Sequence, residues 1–90
     1  MTPVSYQLRV YGNVHAVGYR RYVQAKAQEL GIIGLVRNQP DGTVYIEIAG
    51  GEPALQQFIQ WCREGSPTAR VSKVKVAKAE PKHYPNFEIY

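Results

Sequence analysis

One cysteine, Cys62, stands in a chain of 90 residues, so no internal disulfide can form and a reduced compartment is the simplest setting. The two histidines, His15 and His83, lie far apart. No CxxC or HxxxH spacing accompanies them, so no metal and no cofactor are expected. No apolar run approaches the ~20 residues that span a bilayer. The first ten residues, MTPVSYQLRV, lack the apolar core of a leader. A cytoplasmic protein with no membrane partner is therefore expected. Linkers, repeats and low-complexity stretches are missing too, so residues 1–90 read as a single domain. Acidic side chains are in the minority: 11 Lys and Arg oppose 7 Asp and Glu, a net charge of +4. That balance favours anionic partners, whether phosphates, acidic metabolites or nucleic acid, without choosing among them.

What is present is periodic. Tyr6, Leu8 and Val10 alternate with Gln7, Arg9 and Tyr11, a strand pattern. Tyr19, Val23, Ala27 and Leu30 fall at helical spacing, and Gly31 supplies a stop. Pro40-Asp41-Gly42 predicts a turn between two strands, with Val44, Ile46 and Ile48 on one face of the second. Glu52 and Pro53 suit the start of a second helix. Leu55, Phe58, Ile59 and Cys62 give it one apolar face, on which Trp61 and Cys62 read as packing. Ser72, Val74 and Val76 share one face of a further strand, with Lys73 and Lys75 on the other, as suits a sheet edge. NFEIY closes the chain as a short strand. The order predicts an α+β, ferredoxin-like βαββαβ sandwich: an antiparallel sheet with two helices on one face, plus a C-terminal strand.

The start of the first helix is anomalous. Helix starts leave four backbone N–H groups without partners, and Ser, Thr, Asp or Asn usually accepts one. Between Val14 and Tyr22 no such residue occurs. Instead the stretch GNVHAVGYRR places Arg20 and Arg21 where a cation opposes the helix dipole, by ~0.3–1 kcal/mol each at an exposed site. A bound anion would answer both defects, its oxygens accepting the N–H groups and its charge pairing with a guanidinium. A water-capped helix start with a solvated basic face is the plainer alternative.

The same residues carry a resemblance. Gly12, Val14, His15, Ala16, Val17, Tyr19 and Arg20 are similar to the acylphosphatase signature Gly-x-Val-Gln-Gly-Val-x-Phe/Tyr-Arg. Val36-Arg37-Asn38 followed by Asp41-Gly42 resembles the family's second signature. Leu30-Gly31, the GSPTARV segment at 65–71 and the NFEIY tail match as well. The sequence is thus identified as a member of the acylphosphatase family over nearly its whole length. The resemblance implies a ferredoxin-like fold and metal-independent hydrolysis of an acyl phosphate to carboxylate and phosphate. Arg20 would hold the phosphate and Asn38 would position the attacking water. The backbone N–H groups of His15, Ala16, Val17, Gly18, Tyr19 and Arg20 would form the phosphate-binding loop. Partners implied are a small acyl phosphate, with inorganic phosphate as product or inhibitor, and a monomer is expected.

The pattern is departed from at His15-Ala16, where the family has Gln-Gly. If that glycine needs φ above zero, Ala16 is strained by roughly 1–2 kcal/mol. His15 reads as an exposed loop side chain, or as a pH-sensitive group near the phosphate. Arg21 reads as a solvated neighbour pointing away, and Asn38 by itself as ordinary turn chemistry. Two other functions fit the topology: a non-catalytic anion-binding module, and a small RNA-binding domain. The second needs a Lys/Arg-Gly-Phe/Tyr-Gly/Ala-Phe strand pattern. Tyr11 and Tyr45 are outward candidates, but that pattern is missing, so no nucleic-acid partner is expected.

Overall fold

A computed structural model describes residues 4–15, 18–65, 69–80 and 82–90. Its elements are β1 (Val4–Asn13), α1 (Tyr19–Glu29), β2 (Ile33–Asn38), β3 (Val44–Gly50), α2 (Glu52–Glu64), β4 (Arg70–Ala79) and β5 (Phe87–Ile89). The alternation in the sequence becomes a five-stranded sheet in the order β4-β1-β3-β2-β5. The first four strands pair antiparallel, as the predicted fold requires. β5 adds to the outer side of β2 in parallel, with Ile89 opposite Val36.

One sheet face carries Leu8, Val10, Val36, Val44, Ile46 and Ile48, all buried. Both helices cover it, α1 over β2 and β5 and α2 over β3 and β4. Each fully buried residue of this size stabilises the fold by about 1.5–3 kcal/mol relative to exposure. Leu55, Phe58, Ile59 and Cys62 form the buried stripe of α2, as their spacing predicts. Phe58 meets Phe87 of β5 with ring centroids 6.3 Å apart, binding the last strand to the core. The lysine-bearing strand β4 lies at the sheet's edge. Among the described residues no helix is long and apolar enough to cross a membrane.

The turn after β2 forms as predicted. Gly42 N–H donates to the Gln39 carbonyl at 3.1 Å, with Pro40 and Asp41 between them. Asp41 Oδ1 accepts from Thr43 N–H at 3.0 Å and Thr43 Oγ1 at 2.6 Å. The turn chemistry is therefore supplied by Asp41, not by Asn38, which is the last ladder residue of β2, opposite Val44. Gly12 marks a bulge where β1 meets β4. A Cβ there would stand 2.1 Å from the Arg70 carbonyl oxygen, so only glycine permits this backbone approach.

Candidate active site

The segment from Val14 to Arg20 joins β1 to α1. Gly18 occupies the N-cap in a left-handed conformation, φ 75°, and among the described residues no side-chain cap bonds to the helix start. No acidic residue lies in the first turn. The uncapped, cation-bearing end read from the sequence is thus the end the fold builds. Ala16 and Val17, expected in the phosphate-binding loop, lie outside the described residues, as do residues 66–68 of the GSPTARV segment.

Tyr19 begins the helix but sends its side chain into the core. It is 1% exposed, its hydroxyl donates to the Cys62 carbonyl at 3.2 Å, and its ring stacks near Trp61. Burial raises its hydroxyl pKa well above the usual tyrosine value. Only its backbone is placed to serve an anion. Burial likewise pushes the Cys62 thiol up to about 12, so this cysteine is protonated packing rather than a nucleophile.

Arg20 emerges from the first turn, and its Nη1 donates to the carbonyl oxygen of Tyr90. Tyr90 N–H in turn donates to the Val36 carbonyl at 2.9 Å. With Ile89 opposite Val36, Tyr90 stands alongside Arg37, one residue before Asn38. The guanidinium of Arg20 and the side chain of Asn38 are thereby brought to the same end of the sheet. At that end Asn38 Oδ1 is buried and, among the described residues, accepts no hydrogen bond. An acceptor in that condition costs about 1–3 kcal/mol of desolvation, and buried polar groups of this kind call for an explanation.

His15 corrects an expectation. Rather than an exposed loop side chain it is half-buried, with Nε2 2.8 Å from the Thr43 carbonyl oxygen. A carbonyl only accepts, so Nε2 carries the proton. Thr43 O also accepts from Gln39 N–H at 2.8 Å. One carbonyl therefore joins the segment before α1 to the hairpin that bears Asn38. Arg21 corrects another. It is exposed, but it lines the same cleft as Arg20 and Gly18, a groove of about 730 Å³ between α1 and β5. The sequence offered no signal for Thr43 or Tyr90, because each acts through its backbone carbonyl.

Among the described residues no group of three His, Cys, Asp or Glu side chains is arranged to hold a metal. On the outer sheet face the two outward aromatics are each covered by a cation of this chain. Lys73 lies 4.5 Å from the Tyr11 ring centroid and the Arg37 guanidinium 4.9 Å from that of Tyr45.

Known proteins are similar to this chain in sequence and in fold. The acylphosphatase family model matches residues 6–89. An acylphosphatase of Archaeoglobus fulgidus is 43% identical over 86 residues, which cover 96% of this chain and 97% of that protein. One from Thermococcus kodakarensis is 40% identical over 89 residues, 99% of this chain and 98% of that protein. The crystal structure of acylphosphatase from Bacillus subtilis superposes with a TM-score of 0.93 at 34% identity, covering 97% of this chain and 98% of that one. Both signatures, the fold and the full-length similarity agree, and the chain belongs to the acylphosphatase family.

Proposed function

We propose that residues 1–90 act as a single, monomeric, metal-independent acylphosphatase domain that hydrolyses the carboxyl–phosphate bond of small acyl phosphates. The observation that carries the roles is the placement, at one end of the sheet, of Arg20 on an uncapped helix start and of the buried Oδ1 of Asn38, which has no hydrogen-bond partner among the described residues. The N–H groups of the loop, from His15 to Arg20, donate to the phosphoryl oxygens, and the planar guanidinium of Arg20 meets two of them at once. Asn38 Oδ1 accepts a hydrogen bond from the attacking water and fixes its direction.

The water oxygen bonds to phosphorus as the bond from phosphorus to the acyl oxygen breaks. The carboxylate leaves with that electron pair, and the water's proton passes to a phosphoryl oxygen. Inorganic phosphate remains as product and competes for the same amides. A carboxylate leaves without general-acid help, so positioning and fixed positive dipoles supply most of the rate. A cytoplasmic setting suits a chain whose one thiol is buried and reduced. Cation coverage of Tyr11 and Tyr45 favours this reading over an aromatic platform for RNA.

Phosphate release from acetyl or benzoyl phosphate, in chelator and without added metal, tests the proposal. Turnover no greater than that of Arg20→Ala would sink it. Asn38→Ala should abolish turnover while inorganic phosphate still binds. An equal loss of phosphate affinity would instead make Asn38 part of the anion site.

A further inference from the structure

The cleft beside Arg20 is longer than a phosphate needs. One wall is α1, where Arg20, Gln24 and Gln28 follow one another at four-residue spacing and line one helix face. From the anion end this ridge runs about 12 Å. The opposite wall is residues 86–89, on the outermost strand of the sheet. The Asn86 carbonyl and the Tyr90 N–H both bond toward β2. Backbone groups alternate in direction along a strand, so those of Phe87 and Ile89 aim at the outer edge. The Phe87 carbonyl is taken by Gln24 Nε2 at 3.0 Å. The N–H and C=O of Ile89 point to that edge at a level between Arg20, which reaches Tyr90, and Gln24, which reaches Phe87, and Gln28 lies farther along the cleft, toward Asn86.

Both walls therefore offer amide donors and acceptors, and Arg21 and Glu88 stand among them with opposite charge. Resting on the reading of Arg20 as the phosphate ligand, we propose that this cleft receives the acyl chain. It selects extended acyl groups that carry an amide over aromatic or hydrocarbon ones. A chain spanning two peptide units, about 7 Å extended, fits within the ridge while its phosphate stays at the helix start. An apolar chain in the same place would strip water from Gln28 and Ile89 without replacing its hydrogen bonds, which is how a polar pocket rejects a partner lacking the matching group. The edge of β5 pairs with an amide as a sheet edge pairs with an added strand.

Two β-ketophosphonates test this, a methylene replacing the bridging oxygen so that neither is hydrolysed. Both carry the same two-unit chain, one ending in a carboxamide and the other in the isosteric isopropyl group. Calorimetry on the full chain should show the carboxamide binding about tenfold tighter. In Gln28→Leu, at an exposed helix position, the preference should fall below about threefold. Equal affinities, or a preference that Gln28→Leu leaves unchanged, would overturn the proposal. These affinities need no turnover. A chain that prefers the carboxamide yet hydrolyses no acyl phosphate contradicts the catalytic reading alone, and one that hydrolyses acetyl phosphate without the preference contradicts only the acyl-chain site.

Discussion

Arg20 donates a hydrogen bond from Nη1 to the carbonyl oxygen of Tyr90, across 70 residues of chain. The contact sets the guanidinium's direction from the far end of the fold, and β2 holds Tyr90 in turn through the Val36 carbonyl. A chain ending at Ile89 should therefore keep its fold but lose orientation of Arg20. Hydrogen bonds to a charged donor contribute about 1.5–3 kcal/mol, less at an exposed site. Turnover and inorganic phosphate affinity should each fall about tenfold. Phosphate titration of the shortened chain checks this, and undiminished affinity would mean that Arg20 needs no such support.

His15 joins two halves of the proposed site, since the Thr43 carbonyl that it reaches also closes the hairpin bearing Asn38. The function of the side chain is to present a donor at that distance, which a glutamine amide can also do. His15→Gln should retain turnover within about threefold, whereas His15→Ala should lose about tenfold, the worth of one half-buried hydrogen bond. The loss should fall on kcat more than on KM, because the proposed phosphate ligands remain while the strand bearing Asn38 shifts. A His15→Ala variant with normal kcat would show that the two halves hold their places without this bond.

Why some of this was legible in the sequence and some was not follows from the range of each interaction. The hairpin around Pro40-Asp41-Gly42 and the stripe from Leu55 to Cys62 are set by neighbours within a few residues, so periodicity and turn chemistry reveal them. The lysines at 73 and 75 announce an edge because an edge strand needs them. The NFEIY tail shows only a short alternation, and nothing local says that it runs parallel to β2 or that Tyr90 then meets Arg20. The half-burial of His15 is hidden from the sequence for the same reason. Its partner is a backbone carbonyl 28 residues away, and a carbonyl leaves no mark in a sequence. The cleft beside Arg21 is hidden too, because helical spacing says where a side chain starts, not that a distant strand builds a wall opposite it.

Glu47 sets an acid sensitivity on the outer sheet face. Burial works to raise its pKa, but hydrogen bonds from Tyr84 and from Tyr45, the latter at 2.7 Å, and the nearby Lys82 ammonium hold its carboxyl below the usual glutamate value. A depressed folded-state pKa contributes stability that is present above the unfolded value and lost as pH falls through the folded one. Tyr84→Phe removes one bond and moves the carboxyl back toward its ordinary value. At neutral pH the variant should be less stable by about 1 kcal/mol. That gap should narrow below about pH 4, where glutamates protonate. Urea unfolding at several pH values reads the difference, and a gap that stays constant into acid would show that the Tyr84 hydroxyl does not act through the charge of Glu47.

Gly12 tests whether the first signature glycine serves the fold or the chemistry. It sits at φ 129°, and an added Cβ would stand 2.1 Å from the Arg70 carbonyl oxygen and 2.8 Å from the Ser72 nitrogen. Neither backbone atom can move without breaking the ladder between β1 and β4. Gly12→Ala should therefore destabilise by at least about 2 kcal/mol, as strained backbone and overpacking do. Gly18, at φ 75° with nothing near its Cβ position, offers the contrast. Gly18→Ala meets only the left-handed penalty of about 1–2 kcal/mol, but it alters the direction of the N–H groups at the helix start. The first variant should lower the unfolding midpoint more, and the second should lower phosphate affinity more. If Gly12→Ala instead left stability intact and removed phosphate binding, the bulge would belong to the anion site and the loop would begin three residues earlier than His15.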